Sequence, residues 1–149
     1  MRERLDDYET YHQTFGNELC HYVGIPSIVA GTATVLGLVH LATFGGFTLT
    51  LAEIVALPIA VFYLVSARAL GLATALMFAL LIAIGRALPL WAGVAIFVGG
   101  WVLQFVGHAA FEHRSPAFVR NLLHLLVGPA WIVERMLKRL VGERKPGLS

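Results

Sequence analysis

The chain has 149 residues, 58% of them hydrophobic and only 13% charged. A water-soluble domain carries roughly 25% charged residues and avoids large exposed apolar areas, so this composition excludes an ordinary soluble fold and points to a membrane. A formal net charge of +2, with the basic excess gathered in the C-terminal tail, gives no reason to expect a nucleic-acid partner.

The first twenty or so residues are polar and lack the apolar core of a cleavable signal peptide, so the first apolar run is expected to stay in the mature protein. His12 and His21 lie nine positions apart, which on one unbroken helix turns them to opposite faces. Gly16 can end one helix and Asn17 can cap the next. With a break there, both imidazoles can face one site, and Asn17 and His21 share a face at i, i+4. The plainer reading makes both histidines interfacial polar residues. Cys20 is the sole cysteine, so neither a disulfide nor a cysteine-rich metal motif is available.

Between Tyr22 and Phe111 the only Asp, Glu, Lys or Arg residues are Glu53, Arg68 and Arg86. A spanning helix needs roughly 20 mainly apolar residues, and four stretches qualify: 23–43, 48–66, 69–87 and 90–111. Breaks fall at Gly45-Gly46, at Ser66-Ala67-Arg68 and from Arg86 to Pro89. Pro26 sits in the first turn of its span, where a missing amide is tolerated, and Pro58 inside the second. Links this short force neighbouring helices to run antiparallel. The expectation is an all-α, four-helix up-down bundle forming a single membrane domain over residues 1–149, preceded by an N-terminal helix. Residues 117–141 have helical apolar spacing with a basic face, as expected of a segment lying in the interface, and Gly128-Pro129 should break or kink it.

Four spans place both termini and the Arg68 loop on one side. That side holds Arg2, Arg4, Arg68, Arg114, Arg120, Arg135, Lys138, Arg139, Arg144 and Lys145, ten of the eleven basic residues, against Arg86 on the other. Positive charge marks the cytoplasmic side, so both termini are expected in the cytoplasm. Five of the six histidines (His12, His21, His108, His113 and His124) fall in that layer, with Glu112; His40 alone lies opposite.

Gln104, His108 and Glu112 form a polar stripe at i, i+4, i+8 near the end of the fourth span. Ionisable groups at membrane depth face the bundle interior and often mark a functional site. His108 and Glu112 suit a divalent metal, although they can equally bond to each other and tie the bundle together. His113 turns away toward solvent, and His124 can close the site from the amphipathic segment. Imidazoles with a carboxylate and open positions suit non-haem iron(II), and the same atoms suit zinc. The chain has no Gly-rich phosphate loop, no Gly-x-Ser-x-Gly elbow, no His-Glu-x-x-His and none of the His-x-x-His-His boxes of membrane desaturases.

Tyr11-His12-Gln13, Asn17, His21 and Gly24-Ile25-Pro26, followed by Gln104-Phe105-Val106-Gly107-His108, Glu112 and Ser115-Pro116-Ala117, resemble the paired signatures of the 2-hydroxy fatty acid dioxygenase family, small membrane proteins of the bacterial inner membrane or the endoplasmic reticulum. The resemblance spans essentially the whole chain. It departs after His12, where the family commonly has Asn-Pro and this chain has Thr14-Phe15. The resemblance implies an Fe2+- and O2-dependent enzyme of fatty acid alpha-oxidation, removing one carbon from a 2-hydroxy fatty acid. It also implies His12, His21 and His108 as metal ligands, with Glu112 a fourth ligand or an orienter of an imidazole. Asn17 and Gln104 would fix hydrogen bonds, and His124 would border the site. The expected partners are the lipid bilayer, the acid and O2, with self-association left open. A Zn2+-dependent lipid hydrolase and a non-enzymatic lipid-binding or assembly protein are the competing readings.

Cysteine-accessibility labelling in a Cys20-free background tests the topology. Tags near Met1 and at Ser149 should label from the same side, and labelling from opposite sides would reject the four-span arrangement.

Overall fold

The computed structural model describes residues 1–113 and 123–142. Its elements are α1 (Arg2–Glu9), α2 (Phe15–Leu36), a hairpin of β1 (His40–Phe44) and β2 (Phe47–Thr50), α3 (Leu51–Ser66), α4 (Arg68–Ala87), α5 (Leu90–Val106) and α6 (His124–Leu140). Helix α5 runs on as a π-helical turn over Gly107–Glu112. The chain is mostly helical, as expected, but it is not all-α.

The hairpin replaces the end of the first expected span and the start of the second. Gly45 and Gly46 both take positive φ, at 52° and 86°, the backbone of a two-residue turn that suits the twist of paired strands. Phe44 then pairs with Phe47 and Thr43 with Thr48. Helix α3 begins immediately after this ladder through a capping box. The Thr50 amide donates to Glu53 Oε2 at 2.8 Å, and the Thr50 hydroxyl accepts from the Ala52 amide at 3.3 Å. Apolar content had disguised a strand pair as membrane helix.

Among the described residues, three helices are long and apolar enough to cross a membrane: Phe15–Leu36, Arg68–Ala87, and Leu90–Glu112 with its π turn. Helix α3 has 16 residues, a rise of about 24 Å against a hydrocarbon core of about 30 Å. It still runs from one end of the bundle to the other. At one end, Arg86 donates to Glu53 and to the Thr48 carbonyl, joining α4, α3 and the hairpin. At the other, the Tyr63 hydroxyl donates to the Leu126 carbonyl of α6 at 2.6 Å.

Helix α2 starts earlier than expected, because Thr14 and not Asn17 is its cap: the Thr14 hydroxyl accepts from the Asn17 amide. Gly16 ends no helix; it sits in the first turn of α2 against the Phe111 ring. Helix α2 then lies between α4 and α5. A Cβ on Gly31 would fall 2.5 Å from the Gly93 carbonyl oxygen, and one on Gly100 would fall 2.7 Å from that of Gly24. Small residues thus bring two backbones into contact, as in other membrane helix pairs.

Helix α6 departs most from expectation. It is one continuous helix through Gly128-Pro129, and Val127 to Val133 are buried. Trp131, Val127 and Ala130 join Leu5 and Tyr8 of α1 and Tyr63 and Phe78 of the bundle in one core cluster. The helix closes the bundle end with the face that carries Val127, Trp131 and Ile132, while Leu125, Met136, Leu137 and Leu140 stay exposed. Residues 117–122 of the expected segment lie outside the described residues, as do Arg114, Ser115, Pro116, Arg144 and Lys145.

Adjacent glycines supply a test of the α2–α5 contact. A Cβ on Gly99 meets nothing within 4 Å. Gly100→Val should therefore destabilise the detergent-solubilised protein by about 1–3 kcal/mol through overpacking, while Gly99→Val leaves the melting temperature unchanged.

Candidate metal centre

Helix α1 turns Leu5 and Tyr8 into the core, and the short link to α2 folds back so that His12 stacks on the Tyr8 ring at 4.0 Å. His12 Nδ1 lies 2.7 Å from the Tyr8 carbonyl oxygen, and His21 Nδ1 lies 2.9 Å from that of Asn17. A carbonyl only accepts, so both Nδ1 atoms carry the proton and both Nε2 atoms present a lone pair. These two Nε2 atoms face each other at 3.0 Å. His108 comes from the π turn of α5, its ring centroid 4.9 Å from His12 and 5.0 Å from His21. One nitrogen from each of the three rings lies within 4.8 Å of the others.

All three imidazoles are buried. Burial, aided by the facing His21, pushes the His12 pKa down, which favours the neutral ring at neutral pH. Two lone pairs aimed at each other in a dry site are repulsive, and a metal cation between them converts that repulsion into ligation. His108 Nδ1 is buried and has no partner among the described residues, which leaves a further ring nitrogen uncommitted. The donor set therefore fits a divalent metal.

Glu112 stands outside this group. Its Oε1 accepts from the Gln13 amide at 2.7 Å, the Thr14 amide at 2.8 Å, the Thr14 hydroxyl at 2.9 Å and the Asn17 side-chain amide at 3.4 Å. The carboxylate thus clamps the turn between His12 and His21 to the element that carries His108. Asn17 reaches the site through its main chain: its carbonyl holds the His21 ring, while its side chain donates to the Tyr11 carbonyl. His124 opens α6 and directs Nε2 to Asp7 at 3.0 Å, apart from the three-nitrogen cluster. His113 is exposed at the end of the π turn, and His40 is exposed on the hairpin at the opposite end of the bundle.

A cavity of about 140 Å³ reaches the cluster. Tyr8, His12, His21, His108, His124 and Gln104 form its polar wall, and Ile25, Ile28, Val29, Trp101, Leu125 and Pro129 its apolar wall. The sequence reading missed Tyr8, which supplies both a stacking face and a carbonyl. It also missed the ion pairs that hold α6 over the site. Arg135 bonds Glu9 and lies 3.5 Å from Glu18, and Arg139 donates to Glu18 at 3.2 Å. Glu18, an acid inside an apolar helix, was the available signal.

The class defined here is a helical bundle with three helices long and apolar enough to span a membrane and, at one polar end, a buried three-histidine cluster that could hold a metal ion. The chain belongs to the Mpo1-like family: the family model described as "2-hydroxy-palmitic acid dioxygenase Mpo1-like" matches residues 1–140. It is 30% identical over 141 residues to the "2-hydroxy-palmitic acid dioxygenase MPO1" of Saccharomyces cerevisiae (strain ATCC 204508 / S288c), covering 94% of this chain and 81% of that protein. No solved structure matches.

The clamp role of Glu112 is open to test by metal titration of the purified protein. Loss of a group that orients ligands typically weakens metal binding about 10- to 100-fold. Glu112→Ala should fall in that range, and Glu112→Gln, which keeps one acceptor oxygen, should fall less. Unchanged affinity in both variants would remove Glu112 from the site.

Proposed function

We propose that this protein is an iron(II)-dependent dioxygenase that shortens 2-hydroxy fatty acids by one carbon. The observation that carries the reading is the pair of Nε2 lone pairs facing across 3.0 Å beside a third buried imidazole, in a chain of the Mpo1-like family. His12, His21 and His108 would hold the metal. When bound, the metal would supply Lewis acidity and a common point of attachment for the acid and O2. The reaction balances without a further reductant: a 2-hydroxy acid plus one O2 gives the acid one carbon shorter, CO2 and water.

The chain's own groups account for the rest. The Tyr8 and Asn17 carbonyls lock the tautomers that leave both Nε2 atoms free to ligate. Glu112 ties the two ligand-bearing segments together, and burial keeps bulk water from the reacting carbon. The cavity joins the polar wall to an apolar one, so a head group can reach the histidines while the acyl chain lies among the helices. Exposed Val65, Leu80 and Trp91 suit contact with lipid. With the charge asymmetry of the sequence, this reading puts the site at the cytoplasmic boundary.

The decisive experiment is anaerobic reconstitution with Fe2+ and, separately, Zn2+, followed by O2 uptake and product analysis with 2-hydroxypalmitate. The iron protein should consume O2 and yield the C15 acid, and the zinc protein should do neither. His12→Ala, His21→Ala and His108→Ala should each lose metal while remaining folded, whereas His40→Ala keeps both metal and activity. Hydrolysis of an ester lipid by the zinc form, without O2 uptake by the iron form, would favour the hydrolase reading.

A further inference from the structure

The cavity contains a polar group that neither ligation nor packing uses. Gln104 is buried, and its Nε2 donates to nothing among the described residues. A buried amide without a partner is a standing penalty that a ligand atom can remove. Backbone contact confines it, since a Cβ on Gly24 would lie 2.5 Å from Nε2. Gln104 also lines the cavity, so the amide sits between the α2 backbone at Gly24 and that space.

Its place along the helix narrows the ligand. Gln104 precedes His108 by one helical turn, on the side away from Glu112. Deeper along the same wall come Trp101 and, from α2, Ile28; His124 with Asp7 marks the polar side. An acid that brings its head to the histidines and its chain past Trp101 places C2 on the chain side of the carboxylate, opposite Gln104. A hydroxyl on C2 both donates and accepts, so it satisfies the amide whichever of its two ends faces the cavity. A carboxylate only accepts and matches one orientation alone.

We propose that Gln104 recognises the 2-hydroxyl and sets the preference for 2-hydroxy over unsubstituted fatty acids. The assignment rests on the 2-hydroxy acid reading above. A site built to bond a substrate hydroxyl rejects the analogue that lacks it, because its own polar group is then left unpaired.

The test is equilibrium binding of 2-hydroxypalmitate and palmitate to the full-length, zinc-loaded protein in detergent, where no turnover intervenes. The native protein should prefer the 2-hydroxy acid, and Gln104→Leu should shrink that preference by about 10-fold or more. Metal content and palmitate affinity should not change. Gln104→Met keeps the length without the amide and gives the same reading if the leucine variant does not fold. A native protein that binds neither acid overturns the 2-hydroxy acid reading and this assignment with it. Turnover of 2-hydroxypalmitate by the iron form, with the full preference retained in the folded variants, overturns the Gln104 assignment alone.

Discussion

The approach of His12 Nε2 to His21 Nε2 across 3.0 Å, with both rings buried, is the contact on which the surrounding structure depends. Neutral imidazoles do not seek that geometry, so the protein imposes it. Each ring is anchored from behind by a main-chain carbonyl one turn earlier, Tyr8 for His12 and Asn17 for His21. The Tyr8 ring covers one face of His12. Burial, with the facing His21, pushes the His12 pKa down and so favours the neutral ring. A metal ion between the two nitrogens would relieve their repulsion, and its binding would then be coupled to the order of the whole N-terminal segment.

Two further devices bring the third histidine and the cover into place. The glycine contacts between α2 and α5 let the helices approach closely enough for His108 to reach the other two rings. The π turn over Gly107–Glu112 re-aims the side chains that follow it, and such turns recur at functional sites. Through it His108 faces inward, while Glu112 reaches the Gln13–Thr14 turn. Helix α6 is secured differently. Arg135 and Arg139 meet Glu9 and Glu18, and Arg135 also lies over the Trp131 ring. Buried ion pairs add little net stability over an apolar isostere, yet removing one partner strands a charge. They fix where α6 sits more than they strengthen the fold.

The division of labour along the bundle axis has a chemical consequence. Polar groups concentrate at two ends, with the ion pair of Arg86 and Glu53 at one and the histidine layer at the other. The outward helix faces between them are apolar. A lipid-borne acid with a polar head matches that gradient. Its chain needs no polar path across the bundle, and the structure provides none through the α2–α5 seam, which is closed by backbone contact.

Much of this was legible before any tertiary contact was known. Segregated charge pointed to a membrane, three of the four expected spans correspond to helices long and apolar enough to cross one, and the spacing of Gln104, His108 and Glu112 announced one polar stripe. The signals that failed did so for identifiable reasons. Apolar content does not distinguish a strand pair from a span, so the hairpin around Gly45-Gly46 was read as helix. Helical periodicity in α6 does not say how much of its apolar face meets protein, and the packing of Trp131 against Tyr8 and Tyr22 shows that its middle does. For Glu112, residue type left open a fourth ligand or an orienter of an imidazole, because it does not say which donors a carboxylate will meet; in the fold Oε1 accepts from the Gln13–Thr14 turn. Sequence by itself determined which groups lie at one end of the bundle, because hydropathy and charge act locally. The tertiary structure decided which nitrogen atoms meet, because that depends on tautomers, backbone carbonyls and ångström-scale helix approach.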